Sequence, residues 1–269
     1  MARALVALTP SEGKRLIGKA VARMEAVCNA LSNGTVVICP GTTNAYVAEE
    51  IIGNSIDKGR FTIGVITPKG ACVSKSKARL REIVLSKGKR VDLSLKEAVD
   101  GLGPRDAFIK GANAVDVFGN AGVYLGSSTG GTMGLSIGPV LARGVKMIIP
   151  VSLEKLVPYP IMDIAPRLGS QKLNAAMGLP FGMMPLPGEI VTEVEAINML
   201  FGCECIPVGG GGVNGGEGSH CYLMEGDEDS VKAAWESVCR IKGEAVTQVE
   251  IEECTLCKFN CQEKWKDVA

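Results

Sequence analysis

The chain has 269 residues, and its 29 basic and 29 acidic side chains give a formal net charge of zero. Hydrophobic residues make up 46% of it and aromatic residues only 4%, which predicts a core of aliphatic side chains and excludes a disordered chain. No apolar stretch is long enough to span a bilayer, and the first residues do not form a convincing signal peptide, so we expect a cytoplasmic protein with no membrane partner.

The charge is unevenly distributed. Between Lys58 and Arg90 there are ten basic residues and one acid, Glu82. A solvated surface explains such a run, and so does a rim that attracts an anionic ligand. Because the run lacks interleaved aromatic residues on which bases stack, it disfavours nucleic acid as the partner.

The first half of the chain alternates helical and strand patterns. Residues 11–32 carry apolar positions at helical spacing with Ser11 as the predicted N-cap, and TVVICP (35–40) predicts a buried strand. A second helix follows the turn at 41–44, FTIGVIT (61–67) predicts a strand, and residues 69–105 show no strong strand.

The pattern continues with a strand at 106–112 and a hairpin about Gly119-Asn120. A helix follows the loop 127–132, and a buried strand is predicted at 145–152. This alternation predicts an α/β fold, with a Rossmann-like, mostly parallel sheet that has helices on both faces.

The second half predicts a different organisation. We expect the α/β domain to span 1–157 and a proline-rich connecting excursion to span 158–188. The order βαββαβ over 189–251 predicts a smaller α+β domain of the ferredoxin-like kind, and 252–269 form a cysteine-bearing tail. A ferredoxin-like module of this type also suggests a homo-oligomer.

Three groups of small and hydroxyl-bearing residues follow predicted strands and are candidates for binding a small anionic metabolite, phosphorylated or carboxylated. Backbone N–H groups at the start of a helix attract anions, and ligands of open α/β sheets gather at the carboxyl ends of strands. A side chain that only caps the helix is the alternative for the first group. The candidates are Gly41, Thr42, Thr43, Asn44, Gly111, Asn113, Ser127, Ser128, Thr129, Gly130, Gly131 and Thr132.

The stretches PGTTNAYVAEE (40–50) and DAFIKGANAVDVFGNAGVYLGSSTGGTMG (106–134) resemble the superfamily of sugar-phosphate isomerases, glucosamine-phosphate deaminases and CoA transferases. The layout of the second stretch and its continuation is even more similar to that of lactate-utilisation domains. The resemblance covers about residues 30–157 and implies that superfamily's α/β fold.

The same resemblance bears on catalysis. Lys110 and Asn113 stand where ribose-5-phosphate isomerases have catalytic carboxylates, so the usual isomerisation is not expected. Asp116 aligns with an acid of the family motif and is the candidate proton carrier, with Glu49 or Glu50 behind it. A solvated or structural carboxylate is the alternative for each.

Cys254, Cys257 and Cys261 lie within eight residues and are candidate ligands for an iron–sulfur cluster or zinc. A fourth ligand would come from elsewhere in the chain. Thiols that pack on one face of a helical tail are the alternative. The candidates for the fourth ligand are Cys203, Cys205, Cys221 and Cys239.

These patterns leave three functions open. The first is an enzyme of isomerase, lyase or transferase type that acts on a small anion without the isomerase carboxylates. The second is a metal-binding redox or sensory protein of organic-acid metabolism. The third is a regulatory or scaffold protein assembled through the ferredoxin-like module. The substrate, the metal and the oligomeric state stay open.

Overall fold

The computed structural model of the protein describes residues 1–254 and Cys261. The strands in that part of the chain are β1 (Ala2–Leu8), β2 (Thr35–Ile38), β3 (Gly64–Thr67), β4 (Gly70–Val73), β5 (Ile83–Ser86), β6 (Lys89–Val91), β7 (Ala107–Ile109), β8 (Ala114–Asp116), β9 (Ala121–Leu125), β10 (Lys146–Pro150), β11 (Leu156–Val157), β12 (Gly182–Leu186), β13 (Glu189–Val191), β14 (Glu204–Gly211) and β15 (Ser219–Gly226). The α-helices there are α1 (Pro10–Val21), α2 (Glu25–Asn33), α3 (Thr42–Ile52), α4 (Leu95–Gly101), α5 (Gly131–Ala142), α6 (Ile161–Ile164), α7 (Glu193–Phe201) and α8 (Glu228–Ile241).

The central sheet has six strands in the order β13-β10-β7-β2-β5-β6. The first four run parallel, while β5 and β6 are antiparallel to their neighbours. The middle strands are short, mostly apolar runs, and apart from Thr35 and Lys146 at the starts of β2 and β10 their side chains are buried, as expected for strands covered on both faces. The predicted α/β class with a mostly parallel central sheet is confirmed.

The prediction that 69–105 lack a strong strand is wrong. Ile83–Ser86 forms β5, which pairs with β2, and its first three side chains are buried. The apolar part of this strand is only three residues long and lies among charges, so its pattern is weak. The hairpin that follows turns through Lys87 and Gly88, which both have positive φ.

The N-terminal helical pattern forms two helices that are separated by residues 22–24. The predicted N-cap Ser11 is wrong, because Thr9 caps α1. The Thr9 hydroxyl accepts from the Glu12 N–H and the Glu12 carboxylate accepts from the Thr9 N–H. Pro10 occupies the first helical position, where its missing N–H costs nothing.

The predicted ferredoxin-like order does not match the observed sheets. β13 pairs with β10 in the central sheet, and residues 245–251 hold only an isolated bridge at Ile251. The smaller sheet is instead β1-β15-β14, fully antiparallel, with the N-terminal strand as its third member. Sequence order favoured a local module, but only the hairpin of β14 and β15 is local, while β1 and β13 pair with strands far away in the chain.

Strands on both sides of the predicted domain boundaries share sheets. β1 belongs to the region 1–157, yet it pairs with β15. The proline-rich excursion supplies β12, which pairs with β9 in the four-stranded sheet β11-β8-β9-β12, and β3 and β4 form a separate hairpin. The domain division stays a prediction. No helix in the described part of the chain has the length and apolar character needed to cross a membrane.

Candidate anion-binding cavity

A cavity of about 320 Å³ opens where the chain leaves strands β2, β7 and β10. These strands are parallel, so the segments that follow them meet at one edge of the central sheet, where open α/β sheets bind ligands. The loop after β9 and parts of β3, β4 and β9 complete the walls. The lining comprises residues 40–43, 63–65, 71–73, 79, 110–113, 123–127, 130–133, 155, 179 and 181.

The N-terminus of α3 forms one wall. Gly41 is the N-cap, so no side chain at that position accepts hydrogen bonds from the N–H groups of the first turn. Helix α3 spans eleven residues, and the positive end of its dipole lies at the cavity.

The N-terminus of α5 forms a second wall. Gly130 is its N-cap, again without a side-chain cap, and it has a φ of 76° that favours glycine. A Cβ on Gly134 would lie 1.8 Å from the carbonyl oxygen of Thr129, so the loop approaches the helix too closely for any other residue. The N-termini of two helices, both without a side-chain cap, thus face the same cavity. Free N–H groups at such helix ends attract anions.

Two lysine side chains line the same cavity. The Lys110 Nζ donates to the Gly111 carbonyl at 3.1 Å. The Lys155 Nζ donates to the Ala112 carbonyl at 3.0 Å and to the Thr42 hydroxyl at 3.5 Å. Neither lysine makes a salt bridge to a described carboxylate, and the described lining contains no Asp or Glu.

The surroundings disfavour the charged form of both lysines. Burial, with smaller contributions from the nearby Lys14 and Lys110, lowers the pKa of Lys155 to about 8 against the opposing effect of Glu154 and Glu193. Burial likewise lowers the pKa of Lys110. A bound anion would favour the charged form of both lysines again, because it supplies the missing negative charge.

Two buried polar atoms next to this wall have no hydrogen-bond partner among the described residues. They are the hydroxyl of Thr43, which lines the cavity and is 2% exposed, and the amide oxygen of Asn44. Buried polar groups in native proteins nearly always have a partner, so an orphaned hydroxyl here points to a ligand. The Asn44 Nδ2 donates to the carbonyls of Cys39 and Ile109 and thereby ties α3 to β7.

The opposite wall is apolar. Ile63, Val65, Val73, Val123 and Leu125 contribute to it, together with an aromatic stack. The rings of Tyr124 and Phe181 lie 3.9 Å apart at an angle of 16°. The cavity therefore combines a cationic end with an apolar side, which suits a ligand with an anionic group and a nonpolar body.

The structure brings together most of the predicted binding residues. Gly41, Thr42, Thr43, Gly111, Asn113, Ser127, Gly130, Gly131 and Thr132 all line the cavity. Asn44 lies behind the wall, and Ser128 and Thr129 are exposed outside the lining. The Asn113 side-chain oxygen accepts from the Tyr124 N–H at 2.9 Å, so this amide positions β9.

The geometry does not support Asp116 as a proton carrier. Its carboxylate is 4% exposed, lies outside the described lining and accepts from the N–H groups of Phe118, Asn120 and Ile161. The Asn120 amide also donates to both oxygens. Burial alone would raise the pKa of Asp116, but these hydrogen bonds lower it below the ordinary value, which makes a weak base that holds a turn.

Glu49 is also engaged elsewhere. It belongs to a cluster around the Tyr46 ring, here called the Tyr46 network, in which every charge has an opposite partner. Arg15 contacts Glu49 at 2.6 Å and Lys58 contacts it at 2.9 Å. Burial would raise the pKa of Glu49, but hydrogen bonds from Lys58, Ile56 and Arg15 lower it. The network consists of Arg15, Tyr46, Glu49, Glu50, Lys58 and Glu244.

The metal prediction falls largely outside the described residues, because Cys257 is not among them. Cys254 and Cys261 are exposed. Within residues 1–254 and Cys261, no group of three or more His, Cys, Asp or Glu side chains could hold a metal ion. The cysteine site of the tail stays a prediction.

The sequence analysis missed three parts of the cavity. Lys155 lies in a 3-10 turn, Leu153–Lys155, after β10, and no motif distinguishes it from other surface lysines. The basic run contributes Arg79 to the described lining and otherwise apolar residues of β3 and β4. Leu179 and Phe181 come from the proline-rich excursion. The one sequence feature that could have indicated Lys155 is its position in the segment that follows a buried parallel strand.

Comparison of the chain with models of protein families, with curated proteins and with solved structures finds no match. The resemblance to the isomerase and transferase superfamily therefore stays a prediction.

Proposed function

We propose that the cavity binds a small organic anion, phosphorylated or carboxylated, and that the protein is an enzyme of isomerase, lyase or transferase type. One observation carries the proposal. Lys110 and Lys155 lie at a cavity with two uncapped helix N-termini, and the described lining offers them no carboxylate. Partly buried cations without a counter-charge are costly, so a negatively charged ligand is the natural partner.

The shape of the cavity narrows the ligand class. A volume of about 320 Å³ suits a metabolite of modest size. The lysines and helix N-termini hold its anionic group, while Val65, Val123 and Phe181 contact its nonpolar part. A Rossmann-like arrangement of the central sheet, the finer form of the predicted fold, fits a ligand at this edge.

A lysine replaces the missing carboxylates in the proposed chemistry. Proton transfer needs a group whose pKa lies near the working pH, and Lys155, with a pKa of about 8, meets that condition. Asp116 and Glu49 do not meet it, because hydrogen bonds hold both as stable carboxylates. The proposal keeps the small-anion substrate expected from the sequence and assigns the reactive group at the substrate to Lys155.

Thermal unfolding in the presence of anions tests the proposal. We expect inorganic phosphate to raise the midpoint relative to chloride at equal ionic strength, and phenyl phosphate to raise it more because its ring contacts the apolar wall. The rise should shrink in Lys110→Met and persist in Lys89→Met, which removes an exposed charge of the basic run. Equal midpoints in phosphate, phenyl phosphate and chloride would refute the proposal.

A further inference from the structure

We propose that Lys155 is a nucleophile that forms a reversible imine with an aldehyde or ketone carbonyl of the ligand. The inference rests on the proposed function and deepens it, because it narrows the substrate class to anions that carry a carbonyl group. It is argued from the partners of Lys155, from its position relative to the anion seat and from the nonpolar wall.

The partners of Lys155 distinguish it from neighbouring lysines. Lys14 pairs with Glu154 at 2.6 Å and Lys58 pairs with Glu49 at 2.9 Å, so each of these lysines has a carboxylate partner. The Lys155 Nζ contacts only neutral acceptors in the described structure, the Ala112 carbonyl and the Thr42 hydroxyl. A neutral amine still has two N–H groups for these contacts, and its lone pair is then available for attack.

The position of Lys155 places it beside the proposed anion seat. Its Nζ lies 3.5 Å from the hydroxyl of Thr42, the first residue of α3. An anionic group held by the first N–H groups of α3 is therefore adjacent to this amine, and a carbonyl a bond or two away is within reach. The Lys110 Nζ instead bonds to the carbonyl of the next residue, so it is better placed to balance charge.

The electrostatics favour the reactive form. Desolvation and a neighbouring cation are the two ways in which proteins activate a lysine nucleophile, and Lys155 has both. Burial is the largest cause that lowers its pKa, followed by Lys14, with Lys110 adding to the effect, while Glu154 and Glu193 oppose it. In the free protein, a larger share of Lys155 is thus neutral at physiological pH than of a solvated lysine. A bound anion raises this pKa again, so attack on the carbonyl uses the neutral fraction that remains in equilibrium.

The step balances without any co-reactant. The Lys155 nitrogen attacks the carbonyl carbon and forms a C–N bond. The carbonyl oxygen takes up both amine protons and leaves as water when the C–O bond breaks, which gives the imine. Removal of water from a partly apolar cavity favours this dehydration, and return of water regenerates the amine and the carbonyl compound.

Pyridoxal 5′-phosphate serves as the probe, because it combines a phosphate monoester, an aldehyde and a planar ring. The wild-type protein is mixed with a stoichiometric amount, reduced with borohydride and mapped by peptide mass spectrometry. We expect the reduced adduct at Lys155, formed about tenfold faster than at exposed lysines because of the larger neutral fraction. Inorganic phosphate should slow labelling of Lys155, and pyridoxal, which lacks the phosphate, should label it more slowly.

Variants provide the second readout. Lys155→Arg keeps the positive charge but cannot form an imine, so the yellow imine absorbance should fall to the level of surface labelling. Lys89→Met should label like the wild type. Mapping on the wild type decides the question even where Lys155→Arg does not fold.

The outcomes separate the inference from the proposed function. If phosphate stabilises the protein but the label is spread over surface lysines, the imine is refuted and anion binding stands. If phosphate has no effect on stability or labelling, both are refuted. If Lys155 carries the label and phosphate protects it, both are supported.

Discussion

The cavity and the Tyr46 network contain the same kinds of cation in opposite settings. In the network, Arg15 contacts Glu49, Glu50 and Glu244 at 2.6 to 2.9 Å. Its guanidinium also lies 4.8 Å from the centre of the Tyr46 ring. At the cavity, the Nζ atoms of Lys110 and Lys155 meet only carbonyl and hydroxyl oxygens among the described residues.

The two settings differ in whether the fold supplies a carboxylate partner for the cation. In the network, hydrogen bonds with the glutamates raise the pKa of Arg15 despite its burial, so the charges stabilise one another and join α1, α3 and the segment after α8. At the cavity, burial lowers the pKa of both lysines, because nearby glutamates offset the effect only in part and none of them forms a salt bridge with either lysine. Charges that the fold pairs with opposite charges hold the fold together, whereas we propose that the lysines left without such a partner at the cavity bind a ligand.

The largest expected effect on stability comes from substitution of Arg15. Arg15→Met leaves three partly buried glutamates without their shared cation, and we expect the free energy of unfolding to fall by about 3 kcal/mol. Urea denaturation measures it. Arg240→Met, which removes an exposed pair with Glu236 at 3.9 Å, should cost less than about 0.5 kcal/mol. Equal losses in the two variants would contradict a structural role for the network.

Substitution of Asp116 tests whether a carboxylate whose oxygens already accept several hydrogen bonds contributes to stability, as the Tyr46 network does. Asp116→Asn replaces one acceptor oxygen with an NH₂ group that faces backbone N–H donors, so we expect a loss of about 2 kcal/mol. Phosphate should still raise the unfolding midpoint. Asp92→Asn, at an exposed carboxylate, is the control. Unchanged stability together with loss of phosphate binding would restore Asp116 as a site residue.

Substitution of Lys110 should change the free energy of unfolding in the opposite direction. Lys110→Met removes a partly buried cation that has only a carbonyl partner, so we expect the free protein to gain about 1 kcal/mol of stability. The same variant should lose the stabilisation by phosphate. Urea denaturation with and without phosphate gives both values. A destabilised variant that still responds to phosphate like the wild type would place Lys110 among the structural charges.

The pH dependence of stability gives a smaller effect. Lys155 has a pKa of about 8 in the fold against an ordinary value of 10.5, so the unfolded chain binds more protons between these values. The free energy of unfolding should therefore rise by about 1 kcal/mol from pH 8 to pH 10.5 in the wild type relative to Lys155→Met. Parallel urea titrations of the two proteins measure this difference, and a constant difference would contradict a desolvated Lys155.

The sequence predicted the turns that line the cavity better than the contacts of the carboxylates. Turns such as Gly41–Asn44 follow buried strands, and the parallel order brings their ends together by a general rule. The catalytic roles predicted for Asp116 and Glu49 stay predictions that their contacts do not favour, because the pattern shows a carboxylate but not the N–H groups or cations that saturate it. Lys155 was missed because its burial depends on strands and turns far away in the chain.

The pairing of β1 with β15 was missed for a similar reason. The seven residues of β1 carry no signal that names a partner more than 200 positions away. A local βαββαβ order was therefore the simpler interpretation, although only the β14–β15 half of the small sheet is local.

Calorimetric titration with sulfate, which does not titrate in this range, tests the central claim most directly. An anion beside Lys155 restores its protonated form, so near pH 8 binding should take up about half a proton per sulfate. The uptake is read from the dependence of the binding heat on the buffer, and it should vanish in Lys155→Met. Sulfate binding without proton uptake, or the same uptake in the variant, would contradict an anion site built on desolvated lysines.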